Sequence, residues 1–237
     1  MTNIFGTNNN DKLYGTDLAD VIKGLFGDDI LSGKKGNDRL EGNEGSDRLS
    51  GDDGDDSLYG GDDDDLVSGG EGNDSLEGDA GNDWLRGGNN SDRLYGGVGD
   101  DLLYGESGND FLYGYKGNDR AYGGDGTDHI YGEHGNDLIY GESGKDYLHG
   151  GYDHDTLYGG AGNDVVTGDN GNDIVQAIMV TTGWLGVTSA ILYTVVKVMI
   201  FSTATTEAIA LRDKMGTILS MVETITIVLM VAMAMIV

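Results

Sequence analysis

The chain contains no cysteine, so disulfides contribute nothing to its stability, and the zero count carries no information about redox compartment. Basic residues are scarce: 14 Lys and Arg stand against 42 Asp and Glu in 237 residues, a formal net charge of −28 at pH 7. Such acidity argues against nucleic acid as a partner, because that binding depends on neutralising phosphates. Met1-Thr2-Asn3-Ile4-Phe5 has neither a basic region nor an apolar stretch, which predicts no cleavable signal peptide. The His-Glu-x-x-His and Gly-x-Ser-x-Gly motifs are both missing, and the sequence reads as a non-enzyme.

Glycine and aspartate are what the chain has in abundance, and they keep time. Gly6, Gly15, Gly24 and Gly33 open a series that returns at every ninth residue as far as Gly168. An aspartate follows five residues later in each unit, from Asp11, Asp20 and Asp29 to Asp173. Two positions further on stands an apolar residue: Leu13, Ile22, Leu31, Leu40 and so on through Val166 and Val175, with Ala121 the smallest. Residues 6–176 are therefore one periodic object of nineteen units. A fixed short period means a solenoid whose units contact only their neighbours.

Gly69-Gly70-Glu71-Gly72-Asn73-Asp74-Ser75-Leu76-Glu77 represents the unit. Positions one to six read as a turn and positions seven to nine as a minimal strand. Glycine at positions one and four gives access to positive φ. The aspartate at position six adds a carboxylate to a concavity of carbonyl oxygens. Hard oxygen ligands in a flexible loop suit calcium, whereas magnesium demands a stricter octahedron. Alternation along the strand sends only position eight inward, which accounts for its constant apolar character.

This pattern resembles the glycine- and aspartate-rich nonapeptide repeats of RTX proteins over 171 of the 237 residues. The resemblance implies a right-handed parallel β-roll with two units per turn, each calcium lying between a loop and the loop two units further on. Carried onto this chain, the side-chain ligands are Asp29, Asp38, Asp47, Asp56, Asp65, Asp74, Asp83, Asp92, Asp101, Asp110, Asp119, Asp128, Asp137, Asp146, Asp155 and Asp164, with Asp173 closing the last site. Carbonyls completing the shells are assigned to Gly33, Gly36, Gly42, Gly45, Gly51, Gly54, Gly69, Gly72, Gly78, Gly81, Gly96, Gly99, Gly105, Gly108, Gly123, Gly126, Gly132, Gly135, Gly159 and Gly162. Up to about seventeen calcium ions follow from counting one ion per pair of same-side loops. RTX enzymes carry a catalytic domain before the repeats, and five residues stand there in this chain.

Position four is not glycine in five units, where Asn9, Leu18, Asp63, Asn90 and Asp153 replace it. Asparagine and aspartate tolerate the left-handed conformation. Leucine does not, so the loop Gly15–Asp20 is expected to bind calcium poorly or not at all, and the unit starting at Gly6 is expected to cap the roll instead of completing a site.

The tail from Ala177 balances Lys197, Arg212 and Lys214 against Glu207, Asp213 and Glu223, so all the net negative charge belongs to residues 1–176. An acidic, glycine-rich segment with little to bury is expected to stay disordered until ions bind, and to fold outside the cell where calcium is plentiful. Export of the unfolded chain through a type I channel, as the RTX resemblance implies, fits that logic.

Composition changes abruptly at Ala177. A linker over 177–186 leads to two apolar helices over about 187–211 and 217–237, with Arg212-Asp213-Lys214-Met215-Gly216 between them. Helices apolar all round must be buried against something. Three readings compete: tail–tail packing that builds a filament or surface layer, a membrane hairpin of two segments near the 20-residue spanning length, and a C-terminal secretion signal. Self-association through residues 187–237 is the leading expectation.

Tyrosine recurs at position nine. Tyr95, Tyr113 and Tyr131 are predicted to form one ladder, and Tyr104, Tyr122, Tyr140 and Tyr158 another. Stacking alone explains such rows; contact with carbohydrate or a cell surface is the sharper alternative. His129, His134, His149 and His154 hold four different repeat positions, which speaks against a shared metal site.

Overall fold

The computed structural model describes residues 2–176. The predicted linker and both tail helices lie outside the described residues. Within them the chain is a parallel β-solenoid of about ten turns. Successive strands alternate between two parallel sheets, except that Thr156–Tyr158 and Ala161–Gly162 both pair with Leu138–Gly144 in one sheet. One holds ten strands, from Asn3–Phe5 to Val165–Asn170, and the other holds eleven, from Lys12–Tyr14 to Ile174–Gln176. Each strand pairs with the one eighteen residues away, as in Leu85↔Leu103 and Leu94↔Leu112. Two nine-residue units therefore make one turn.

Strands are longer than the unit's composition suggests. A representative strand is Ser75–Ala80, which runs from position seven through position three of the next unit, leaving a turn of only three residues. The expected division into a six-residue turn and a three-residue strand is corrected accordingly. Glycine at position one does not bend the chain; it continues the pleat with its α-carbon facing inward. Burial alternates along Ser57–Asp62 so that both position eight and the position-one glycine are covered.

Positive φ falls elsewhere too. It occurs at positions two and four, not one and four. Seventeen loops, from the unit at Gly24 to the unit at Gly168, carry it at both positions, and the units at Gly6 and Gly15 at neither. Thirteen of these left-handed residues are not glycine, among them Leu25, Lys34, Glu106 and Tyr115 at position two. Each such residue costs about 1–2 kcal/mol relative to glycine. Asp63, Asn90 and Asp153 are left-handed as expected, but Asn9 is not.

The core is one side chain wide in each sheet. Ile22, Leu40, Leu58, Leu76, Leu94, Leu112, Ile130 and Leu148 line one; Leu31, Leu49, Val67, Leu85, Leu103, Ala121, Ile139 and Leu157 line the other. All are fully buried or nearly so and form one cluster.

Aromatic rows decorate the outer faces. Tyr95, Tyr113, Tyr131 and His149 stack at centroid spacings of 5.6, 4.7 and 5.0 Å, and Tyr104, Tyr122, Tyr140 and Tyr158 at 4.8, 5.1 and 4.8 Å. A further row at position seven, Phe111–His129–Tyr147, was not anticipated because its members differ in type.

A core this narrow has no second layer to relax into. Leu94→Ala should therefore cost about 2–5 kcal/mol in urea denaturation followed by circular dichroism. Val98→Ala, at a side chain 54% exposed, should change stability by less than about 0.5 kcal/mol.

Candidate metal centres

The aspartate at position six closes each three-residue turn, and its side chain points back into the solenoid. From Asp20 to Asp155 these residues are at most 4% exposed. From Asp29 to Asp173 the Oδ1 of each accepts a hydrogen bond from the main-chain N–H of the aspartate eighteen residues earlier, as in Asp74 to Asp92 and Asp83 to Asp101, both 2.8 Å. Seventeen such bonds, from the N–H of Asp11 to Oδ1 of Asp173, span 2.7–3.1 Å and tie the loops into two rows, one on each side.

The second oxygen is left over. Oδ2 of every aspartate from Asp29 to Asp164 in the series is buried with no hydrogen-bond partner, sixteen atoms in all. Each lies against the position-one glycine of its own unit. At Gly78 a Cβ would overlap Oδ2 of Asp83 and crowd the carbonyl oxygen of Gly96. That space exists because no side chain fills it, and two oxygens from loops two units apart border it. Position-four glycines stack similarly: Gly54 sits over the carbonyl of Gly36, Gly72 over Gly54, Gly99 over Gly81, and Gly126 over Gly108. The structure thus brings the predicted aspartates together with the predicted glycines, rung after rung.

An unpaired buried acceptor costs about 1–3 kcal/mol, and more when charged. Even at the lower end, sixteen of them would outweigh the net stability of a typical domain, about 5–15 kcal/mol. Burial accordingly pushes the carboxyl groups of Asp47, Asp56, Asp128, Asp137, Asp146 and Asp155 up to about 7. Asp65, Asp92 and Asp101 reach about 8, where burial is again the main cause and the carboxylates one rung away add repulsion. A hard divalent cation answers both problems, occupying the free oxygens and cancelling the charge. Among the described residues no three His, Cys, Asp or Glu side chains converge. An ion here must therefore be held by single carboxylates supplemented by main-chain oxygens, an oxygen-only set that fits calcium. Aspartate main-chain carbonyls take part in the ladder, as in Asp56 O accepting from Ser75 N–H at 2.9 Å.

Three aspartates of the series differ. Asp11 and Asp20 have both position-two partners and no orphaned oxygen. Asp173 is half-buried, and its Oδ1 accepts from Asp155 at 3.0 Å.

The sequence reading missed a second ladder at position five, which runs the opposite way on the outside. Oδ1 of Asp64 accepts from Asn82 N–H at 2.7 Å, Asn82 from Asp100 at 2.9 Å, and Asp100 from Asn118 at 2.7 Å. The recurrent Asn or Asp before the invariant aspartate was its signal.

A parallel solenoid carrying two rows of ion-receptive loops is the class of protein that this geometry defines. The family model for the RTX calcium-binding nonapeptide repeat (4 copies) matches residues 5–40, 41–76, 77–112, 113–148 and 140–175. The chain belongs to the RTX calcium-binding nonapeptide repeat family. No curated protein matches it. RTX repeats bind calcium in a β-roll, the fold is typically structural rather than catalytic, and such proteins are typically extracellular and exported by type I systems.

A pH dependence follows for the ion-free chain. These carboxyl groups titrate higher when folded than the unfolded value of about 3.9, so the folded state binds more protons. Their stabilising contribution is complete below about pH 4 and lost as pH rises through about 6–8. In excess chelator the β signal in circular dichroism should grow as pH falls from 8 to 5. A signal flat across that range would contradict the burial of these groups.

Proposed function

We propose that this chain is a secreted calcium-binding structural protein, with an acidic right-handed β-roll as its head and an apolar tail that drives self-association into a filament or surface layer. The observation that carries the calcium-dependent part is the buried, orphaned Oδ2 on sixteen aspartates in register. In this reading Asp29 to Asp164, with Asp173 at the end, supply the carboxylates, and glycines at positions one and four supply carbonyls for up to about seventeen ions. About +34 of bound charge would then offset a net charge of −28. Because the sites are made only by folding, ion binding and folding share one free energy.

Assembly is supported by the sequence of residues 187–237, whose two apolar stretches need a cover that an acidic roll does not offer. A membrane hairpin formed by the same stretches is the alternative, giving a tethered surface protein that acts as adhesin or calcium buffer. Carbohydrate or cell-surface contact along the tyrosine rows would use ring edges and hydroxyls, since both faces of Tyr113 and Tyr122 are covered by their neighbours.

Full-length protein moved from chelator into millimolar calcium should gain β signal and form filaments or sheets under negative stain. A chain ending at Gln176 should gain the same signal and remain monomeric. A β signal indifferent to chelator at neutral pH would overturn the calcium reading. Detergent-dependent monomers would replace assembly by anchoring.

A further inference from the structure

Position two is threonine in only two units, the first and the second. The structure gives those threonines a task that no later residue performs. In the second loop, Oδ2 of Asp20 accepts from both the main-chain N–H and the hydroxyl of Thr16, each at 2.7 Å. In the first, Oδ2 of Asp11 accepts from Thr7 N–H at 2.6 Å and from its hydroxyl at 2.8 Å. Each hydroxyl also accepts from position four, Asn9 N–H at 3.3 Å and Leu18 N–H at 3.2 Å, which closes the turn on itself. The other oxygen of Asp20 accepts from Thr2 N–H at 2.6 Å. Asp20 is as buried as its successors, yet both its oxygens are satisfied by the protein alone.

Two further features separate these loops from the seventeen that follow. Neither carries the left-handed residues at positions two and four. The carboxylate also stands away from the glycine cradle: a Cβ at Gly6 or Gly15 would lie 3.0 or 3.2 Å from Oδ2, whereas from Gly24 onward it would overlap that oxygen.

We infer that Thr7 and Thr16 occupy the place that calcium takes in later loops, so that the first two loops bind no ion and form a metal-independent N-terminal cap. The inference rests on the calcium reading of the later loops. Leu18 is then a consequence more than a cause: a loop that needs no left-handed position four tolerates leucine there, 66% exposed. The register of both rows survives the change, because Asp11 and Asp20 still donate their N–H groups to Oδ1 of Asp29 and Asp38 at 2.7 Å. The cap offers the first ion-dependent rung on each side a fixed ledge.

Native mass spectrometry of the full-length protein in calcium, released from mild detergent, resolves single bound ions. Asp20→Asn should leave the calcium count of the parent chain unchanged, while Asp74→Asn should lower it by at least one. The double variant Thr16→Gly/Leu18→Gly, which frees Asp20 and restores a glycine at position four, should gain one ion. The cap assignment is overturned if Asp20→Asn loses calcium as Asp74→Asn does, or if the double variant gains none. Should Asp74→Asn also keep the full count, the calcium reading itself fails and takes the cap with it.

Discussion

One buried carboxylate oxygen per nine residues, left without a donor, is the constraint from which the rest of this architecture follows. Oδ1 of each aspartate is spent on the N–H of the previous same-side loop, so it builds the stack. Oδ2 is left facing a glycine whose missing side chain makes room for it. Alanine at that glycine would fill the space and displace the carboxylate. Glycine at position one and aspartate at position six are thus two halves of one requirement in the seventeen units from Gly24 onward.

Carboxylates one rung apart stand about 4.8 Å from one another along a parallel sheet. At an effective dielectric near 20, two unit charges at that distance repel by about 3–4 kcal/mol. Neutralising one site therefore relieves its neighbours above and below, and each aspartate's hydrogen bond passes the ordering of its loop to the next. Coupling of this kind is nearest-neighbour and runs along two independent rows. The single-file aliphatic core joins the rows across the solenoid. It cannot replace them, because it buries only two side chains for every eighteen residues ordered. The left-handed residues at position two sharpen the point: Leu25, Lys34 and Tyr115 hold a conformation that their side chains disfavour, and only a favourable loop interaction can keep them there.

How much of this was legible in the sequence depended on whether a feature repeats by residue type or only by geometry. Period nine exposed the solenoid, the inward position eight and the buried aspartate, because each repeats by type. The length of the strand did not show: glycine at position one reads as a turn former by composition, whereas here it serves close packing in an extended pleat. Placement of positive φ was misread for the same reason. Position two is occupied by Leu, Lys, Asn, Asp, Glu, Tyr or Gly, and so varied a position carries no conformational signature. The Phe111–His129–Tyr147 row was hidden likewise, since stacking unites aromatic rings that composition keeps apart. The loop Gly15–Asp20 shows the limit most clearly. Leu18 marked it as different, but the physical cause lay two residues earlier in Thr16, whose hydroxyl gives Asp20 the donor that other aspartates lack.

That substitution of hydroxyl for ion suits the end of the row, and the geometry explains why it is confined there. Threonine serves as donor to its own loop's aspartate, so it satisfies one loop and links it to nothing. An ion placed between loops satisfies oxygens from two rungs at once and can bind them together. In the interior a threonine at position two would leave two rungs joined only by the Oδ1 bond and the sheet ladder, with a loop that abandons both left-handed positions. At the first two units no earlier aspartate donates to Oδ1, and Asp20 takes the N–H of Thr2 in its place. A self-contained turn then suffices: it gives the buried oxygen a donor without an ion, while Asp11 and Asp20 keep their links to the next rung through their N–H groups.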